Sequence, residues 1–202
     1  MIIIPAPIEP TNDNIIPFIN KPFTLDTQKQ CINLGTYTLT NGSTVDFYSY
    51  NQNGSILGVD KDIVIFVLAL QPFKYSLVIK QKLGLQALQV FRTYVSVDHR
   101  RLGITTHAYE AFVSSGKYSL VCGQFQTVPM LSVWKNMAVN SSTTAFELDV
   151  IDKEVIRVDV NNKPIVYDGT NIPDSELWST LPDRLKEDTL LFLRQKSDLT
   201  TI

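Results

Sequence analysis

Cysteine and histidine are scarce in this chain of 202 residues. Cys31 and Cys122 are too few and too far apart for a disulfide framework or a metal knuckle, and His99 and His107 are the only imidazoles. A metal-free protein with reduced thiols is therefore expected. Neither sign of charge is in marked excess: 18 basic against 20 acidic residues leave a formal net charge of −2. That balance exerts no chain-wide pull on nucleic acid or anionic lipid, and no basic stripe interleaves with aromatics. Long apolar runs are missing too. The longest, Ile63 to Leu70, is about strand length and far short of the ~20 residues that cross a bilayer. The opening "MIIIPAPIEP" has no basic lead-in and is interrupted by prolines, so it reads as neither a signal peptide nor a membrane span. The expectation is a soluble, cytoplasmic protein without nucleic-acid or membrane partners.

What is present fits one core. The 44% apolar content over this length supports a single domain over 1–202, with an extended proline-rich arm (1–25) lying over the surface. "INLGTYTL" and "TVDFYSY" read as strands joined at Asn41-Gly42, a tight-hairpin signal. "DIVIFVLAL" and "YSLVIK" read as a second pair of strands, and "LQALQVFRTYVSV" as a long fifth. From Ile104 the period changes: Ile104, Ala108, Ala111 and Phe112 recur at helical spacing, and Gly116 can end the helix. A short strand "YSLVC" follows. Next comes a helix with Met130, Val133, Trp134 and Met137 on one face, then a meander of "AFELDV", "VIRVDV" and "PIVY". A final amphipathic helix, opened by "PDSELW", runs to about Gln195. It could pack on the domain or mediate a homodimer. The fold class is α/β, a mixed, mostly antiparallel sheet flanked by helices.

The stretch "VDHRRLGITTHAYEAF" carries the functional signal. A long strand ending near Val97, a basic loop, a glycine and a helix start bring several unpaired backbone N–H groups to one spot. Those donors and the positive end of the helix dipole suit a diphosphate. Gly103 lets the main chain approach the ligand, and Arg100 and Arg101 add charge at the rim. The ordinary alternative is a solvated basic turn.

"RRLGIT" followed by a helix resembles the acetyl-CoA signature of the GCN5-related N-acetyltransferases, Arg/Gln-x-x-Gly-x-Gly/Ala, with Arg100, Gly103 and Thr105 in the three defined positions. "VSVDHR" resembles the family's fourth strand and its lead-in, and the order of elements agrees over residues 33–160, leaving 161–202 as a strand and C-terminal helix extension. The resemblance implies a GNAT-like sheet and a coenzyme A cofactor, with the pyrophosphate held by the amides of Arg101, Leu102, Gly103, Ile104, Thr105 and Thr106. The pantetheine arm would pair with the strand edge at Tyr94, Val95 and Val97, where it splays from the fifth family strand, Ser119 to Cys122. It also implies a primary amine, of a small molecule or a protein, as acceptor, attacking the thioester directly with no catalytic residue assigned.

Three positions depart from the family pattern. Thr105 stands where glycine or alanine is usual, Thr127 where an asparagine often contacts the pantetheine, and Trp134 where a tyrosine often serves as acid. An indole cannot supply that proton. The alternative is thus a catalytically inactive protein of this fold that binds a protein partner. Elsewhere the expectations are plain. His99, His107 and Glu110 read as surface or helix-face residues, Asp98 as a loop cap or amine-positioning group, Tyr109 and Trp134 as core or groove aromatics, and Cys122 as a buried small hydrophobe. Acceptor choice is assigned to a loop region around Tyr48 to Asp60.

Overall fold

The computed structural model describes residues 1–4, 18–50, 55–116, 118–140, 144–152, 155–178 and 189–196. In chain order its elements are β1 (Ile2–Ile4), α1 (Leu25–Gln28), β2 (Cys31–Thr38), β3 (Thr44–Tyr50), β4 (Ile56–Asp60), β5 (Ile63–Pro72), α2 (Ser76–Leu83) and β6 (Gln86–Val95). A 3-10 turn, Val97–His99, precedes α3 (Ile104–Val113) and β7 (Tyr118–Val121). Then come β8 (Phe125–Thr127), α4 (Val128–Asn140), β9 (Phe146–Asp152), β10 (Val155–Ile156), α5 (Asp174–Leu177) and β11 (Thr189–Gln195). The fold is mixed α/β and mostly antiparallel. The chain divides into two compact units, 9–71 with 90–115, and 1–8 with 72–89 and 116–202.

In the first unit Asn41-Gly42 makes the expected hairpin: Gly42 has φ +84° and Leu39 donates its N–H to Ser43 at 2.8 Å. Strands run in the order β2-β3-β4-β5 and then the second half of β6, with β2 to β5 antiparallel. Ile56 to Asp60, expected to be loop, is the strand β4. Ile56, Leu57, Gly58 and Val59 are all buried, so the segment has the unbroken apolar burial of a central strand rather than an alternating pattern. Gly58 faces Phe66, and a Cβ there would lie 2.8 Å from that side chain's own Cβ. α3 packs against β2, β3 and β4. It buries Ile104, Ala108, Tyr109, Phe112 and Val113, each large apolar member contributing roughly 1.5–3 kcal/mol.

In the second unit the order is β10-β9-β11-β7 and then the first half of β6. β11 is antiparallel to both β9 and β7, while β6 and β7 are parallel. Three expectations are corrected here. "YSLVIK" lies at helix α2, not a strand; Leu77 is exposed and only Ile79 is fully buried among its described apolar residues, and Gly84 closes it in the left-handed conformation at φ +72°. Of the expected C-terminal helix the described residues show the four of α5 as helical, whereas Leu190 to Gln195 lie in the strand β11, with Thr189 to Arg194 buried. A short run such as "LLFL" satisfies helix and buried strand alike, and burial on both faces selects the strand. Positions 181 and 185 of that expected helix lie outside the described residues. The arm is not wholly superficial either: β1 pairs in parallel with β8 and Met1 is fully buried. Residues 5–17 of the arm lie outside the described residues.

β6 takes part in both units. In one unit Ala87 accepts from the Phe73 N–H, and in the other Ser96 donates to Ile65. Gln89 and Val90, adjacent and both buried, mark where the alternation of faces breaks.

Candidate functional site

The loop to which the sequence assigns a cradle lies in the first unit. β6 stops at Val95 rather than Val97; Ser96 donates its N–H to Ile65 at 2.8 Å, and Val97, more than half exposed, belongs to the 3-10 turn. That turn is closed by the His99 N–H on Ser96 and the Arg100 N–H on Val97. Arg101 then adopts φ +65° and Gly103 φ +81°, and α3 begins at Ile104. Two left-handed residues in four reverse the chain, and the second has the residue for which that conformation costs least.

The result concerns donors. The Leu102 carbonyl accepts from the Thr40 N–H at 3.4 Å and the Gly103 carbonyl from the His107 N–H at 3.1 Å. The N–H groups of Arg101 through Thr106 donate to no acceptor among the described residues. They are the orphan donors of a helix start plus two from the loop, beside the positive end of a ten-residue helix. Of the ten expected cofactor residues, Arg100, Arg101, Leu102, Gly103, Ile104, Thr105 and Thr106 therefore lie in one loop and first turn. Ile104 and Thr105 are buried, and Arg100 and Arg101 are exposed. Tyr94 is half-buried against the cluster of Ile19, Tyr48, Leu57, Val59, Val64 and Val67. The Val95 carbonyl accepts from Arg100 Nε at 3.3 Å, so this arginine turns back to the end of its own strand.

Side chains around the loop include several that the sequence did not single out. Asp60, at the end of β4, lies 3.3 Å from His99 Nε2, both largely buried, and ties the turn to the β4–β5 hairpin. His107 stacks near Tyr37 with centroids 5.6 Å apart, and its Nδ1 lies 3.6 Å from Glu110. Glu110 thus has a partner and is partly buried, not a freely solvated residue. Burial pushes the Tyr37 phenol up, with the Glu110 carboxylate adding to it. A Cβ on Gly103 would meet His107 Nε2 at 3.7 Å, ordinary contact, so the glycine answers to backbone conformation and not to crowding by protein.

In the second unit the Thr127 hydroxyl accepts from the Met130 N–H at 3.4 Å at the start of α4, and Trp134 is fully buried on that helix. Cys122 is fully buried; desolvation pushes its thiol up to about 12, which removes it as a nucleophile. Tyr109 is core, as expected. Among the described residues no cluster of three metal-ligating side chains occurs, and no helix is long and apolar enough to cross a membrane.

Antiparallel strands, a long strand, a donor-lined loop, a helix and a parallel strand follow in the order the resemblance implies. In fold the chain resembles the GCN5-related N-acetyltransferases. Its sequence matches no protein-family model and no curated protein. Solved structures similar to it include the ribosomal-protein-S18-alanine N-acetyltransferase of Escherichia coli, at 8% identity and a TM-score of 0.31, covering 70% of this chain and 67% of that one. Arabidopsis thaliana Naa50, in complex with the bisubstrate analogue CoA-Ac-MVNAL, matches at 13% identity and a TM-score of 0.34, covering 70% and 72%. The IAA acetyltransferase of Bacillus cereus matches at 14% and 0.31, covering 73% and 80%. Likenesses this distant carry no functional argument; the donors of the loop do.

Proposed function

We propose that the chain is an acetyl-CoA-dependent N-acetyltransferase that binds the coenzyme's diphosphate on the amides of Arg101 through Thr106. The observation that carries this reading is that these six consecutive N–H groups have no acceptor among the described residues, at the start of a helix and beside two exposed arginines. An array of unpaired donors at a helix N-terminus is suited to an anion with several oxygens. The residues fit the group on a second count: Gly103 supplies the left-handed turn that leads from the loop into the helix. Bound there, the coenzyme supplies an acyl thioester whose carbon a primary amine can attack.

The chain's own residues bind and orient. Arg100 and Arg101 raise the local positive potential, the loop amides fix the diphosphate, and the main-chain edge at Tyr94 and Val95 aligns an extended arm, the Val95 carbonyl first exchanging its Arg100 partner. Catalysis of this kind rests on positioning and on fixed dipoles. An acceptor amine, of a small molecule or a protein, forms the new C–N bond as the C–S bond breaks, and its proton passes to solvent or to the departing thiolate. No side chain is assigned as acid.

One observation favours a second reading, a binding protein that keeps the fold without turnover. Trp134 stands where the family often has its tyrosine acid, and it is fully buried. A native mass spectrum of the purified protein separates the cases in two steps. A one-to-one adduct with coenzyme A supports the cradle, and incubation of the acetyl form with a panel of primary amines tests transfer. An adduct without transfer, or no adduct at all, overturns the transferase and favours the second reading.

A further inference from the structure

His107 stands in the first turn of α3, and its N–H donates to the Gly103 carbonyl at 3.1 Å. Its ring lies beside the bare face of that glycine. A Cβ placed on Gly103 would have as nearest atoms His107 Nε2 at 3.7 Å, His107 Cδ2 at 3.8 Å and Thr40 Cγ2 at 3.9 Å. The face by which a ligand can approach the loop closely is thus flanked by Nε2 on one side and by a threonine methyl on the other.

The other ring nitrogen faces a charge. Nδ1 is buried, makes no hydrogen bond among the described residues, and lies 3.6 Å from a Glu110 carboxylate oxygen. A lone pair on Nδ1 would be repelled across that gap, whereas a proton there is attracted, so Glu110 selects the form with hydrogen on Nδ1. In the neutral ring that form leaves Nε2 an acceptor. Only the imidazolium makes Nε2 a donor, and only a donor can bond an anion on the Gly103 face. Tyr37 of β2 packs by the ring, and its phenol stays un-ionised because burial and the Glu110 charge push it up. The charged groups of the other strands beneath α3 have their own partners: Asp46 of β3 accepts from the Thr36 hydroxyl, and Asp60 of β4 is paired with His99. Arg100 and Arg101 are exposed on the loop, and they oppose a further positive charge until an anion arrives.

We infer that His107 is a further residue of the anion site, meeting the diphosphate as imidazolium with Nδ1–H toward Glu110 and Nε2–H toward the ligand, so that the coenzyme binds together with a proton. This rests on the coenzyme reading and deepens it. The ligand holds the proton on the ring, and the proton holds the ligand. Affinity is therefore full below about pH 6.5, where a free imidazole titrates, and declines as pH rises from there until the complex has lost the proton as well.

Dephospho-coenzyme A is the probe, because its diphosphate keeps one charge between about pH 6 and 8, whereas the terminal phosphate of coenzyme A titrates there. Calorimetric titration of the unaltered protein should show binding about tenfold weaker at about pH 8 than at about pH 6, the size of one hydrogen bond to a charged group. Titrations near pH 7 in two buffers of different ionisation heat should count roughly half a proton taken up per ligand. His107→Gln should bind at both pH values as weakly as the unaltered protein does at the higher one, with no proton taken up. Glu110→Gln, which keeps the shape and removes the carboxylate, should lose most of the uptake, and it serves if the first variant does not fold. Binding indifferent to pH and without proton uptake overturns the inference and leaves the coenzyme reading standing. So does a pH dependence that survives in His107→Gln, since His99 is then the group responsible. If the unaltered protein binds no dephospho-coenzyme A at either pH, the coenzyme reading fails and takes this inference with it.

Discussion

Replacing Arg194 by methionine leaves the Asp149 carboxylate buried without its cation. In the folded protein Asp149 is wholly buried and Arg194 is 2% exposed. The guanidinium donates from Nε to Asp149 at 2.5 Å and from Nη2 at 3.3 Å, and the same Nη2 lies 2.6 Å from Glu147. These residues sit on the paired strands β9 and β11. Removing one partner of a buried pair costs about 3–5 kcal/mol, because the other charge stays in low dielectric. For a chain of this size that corresponds to a fall in Tm of roughly 6–20 °C. Glu147 is partly exposed and recovers water, so the loss is mainly that of Asp149. Desolvation already holds the Asp149 carboxyl above its usual range, with the arginine pulling it back down. In Arg194→Met that pull is gone. A carboxyl with a raised folded pKa favours the fold at low pH and disfavours it as pH rises through that value. The deficit should therefore be largest at neutral pH and shrink on acidification. Thermal unfolding followed by circular dichroism between pH 5 and 8, windows chosen around that rise, reads both effects. Arg194→Met combined with Asp149→Leu should recover most of the loss, since an apolar replacement of the whole pair is close to neutral. A single variant as stable as the unaltered protein at pH 7, or a double variant no better than the single, would refute the reasoning.

Three further outcomes are expected. Gly58→Ala should lose about 1–3 kcal/mol in denaturant titration, since overpacking a filled core carries that penalty and the new Cβ would stand 2.8 Å from Phe66 Cβ; an unchanged midpoint would contradict the close approach. Burial raises the Asp152 carboxyl, but hydrogen bonds from Arg157 and Thr189 and the Arg157 charge outweigh it, and the net shift is downward. Its stabilising effect is present above the unfolded value near 4 and is lost as pH falls through the lowered folded value, so Asp152→Asn should show a shallower acid loss of stability there. Alkylation of the native protein, read by mass spectrometry, should label Cys31, which is partly exposed, and spare Cys122, whose thiol is pushed up to about 12; a second adduct on folded protein would contradict the burial.

The turn into α3 and the β2–β3 hairpin were legible because their signals are local. Gly103 before a helical period, and Asn41-Gly42 between alternating strands, encode conformations that few other residues adopt, and neither depends on distant parts of the chain. Elements decided by tertiary burial were harder. "YSLVIK" and "TLLFL" are both short apolar runs, and only their surroundings make one a helix and the other a strand. A stop signal for α2 was nonetheless present in "KQKLG", with lysines in the last turn and Gly84 after it. β4 was missed because a strand buried on both faces has no alternation to detect. Gln89 is one of two amides in "LQALQVF", and its partner, the Cys122 carbonyl, is 33 residues away, so no spacing rule singles it out. The same holds for Asp60 and His99, separated by 39 positions.

The central claim is that the amides past Arg100 hold a diphosphate, and isothermal titration of the protein with acetyl-CoA tests it most directly. Binding in the micromolar range is expected, weaker at higher ionic strength and at least tenfold weaker in Gly103→Val, whose branched side chain resists the +81° φ of that position. Absence of any heat with the unaltered protein, or an affinity indifferent to the valine, would contradict the account.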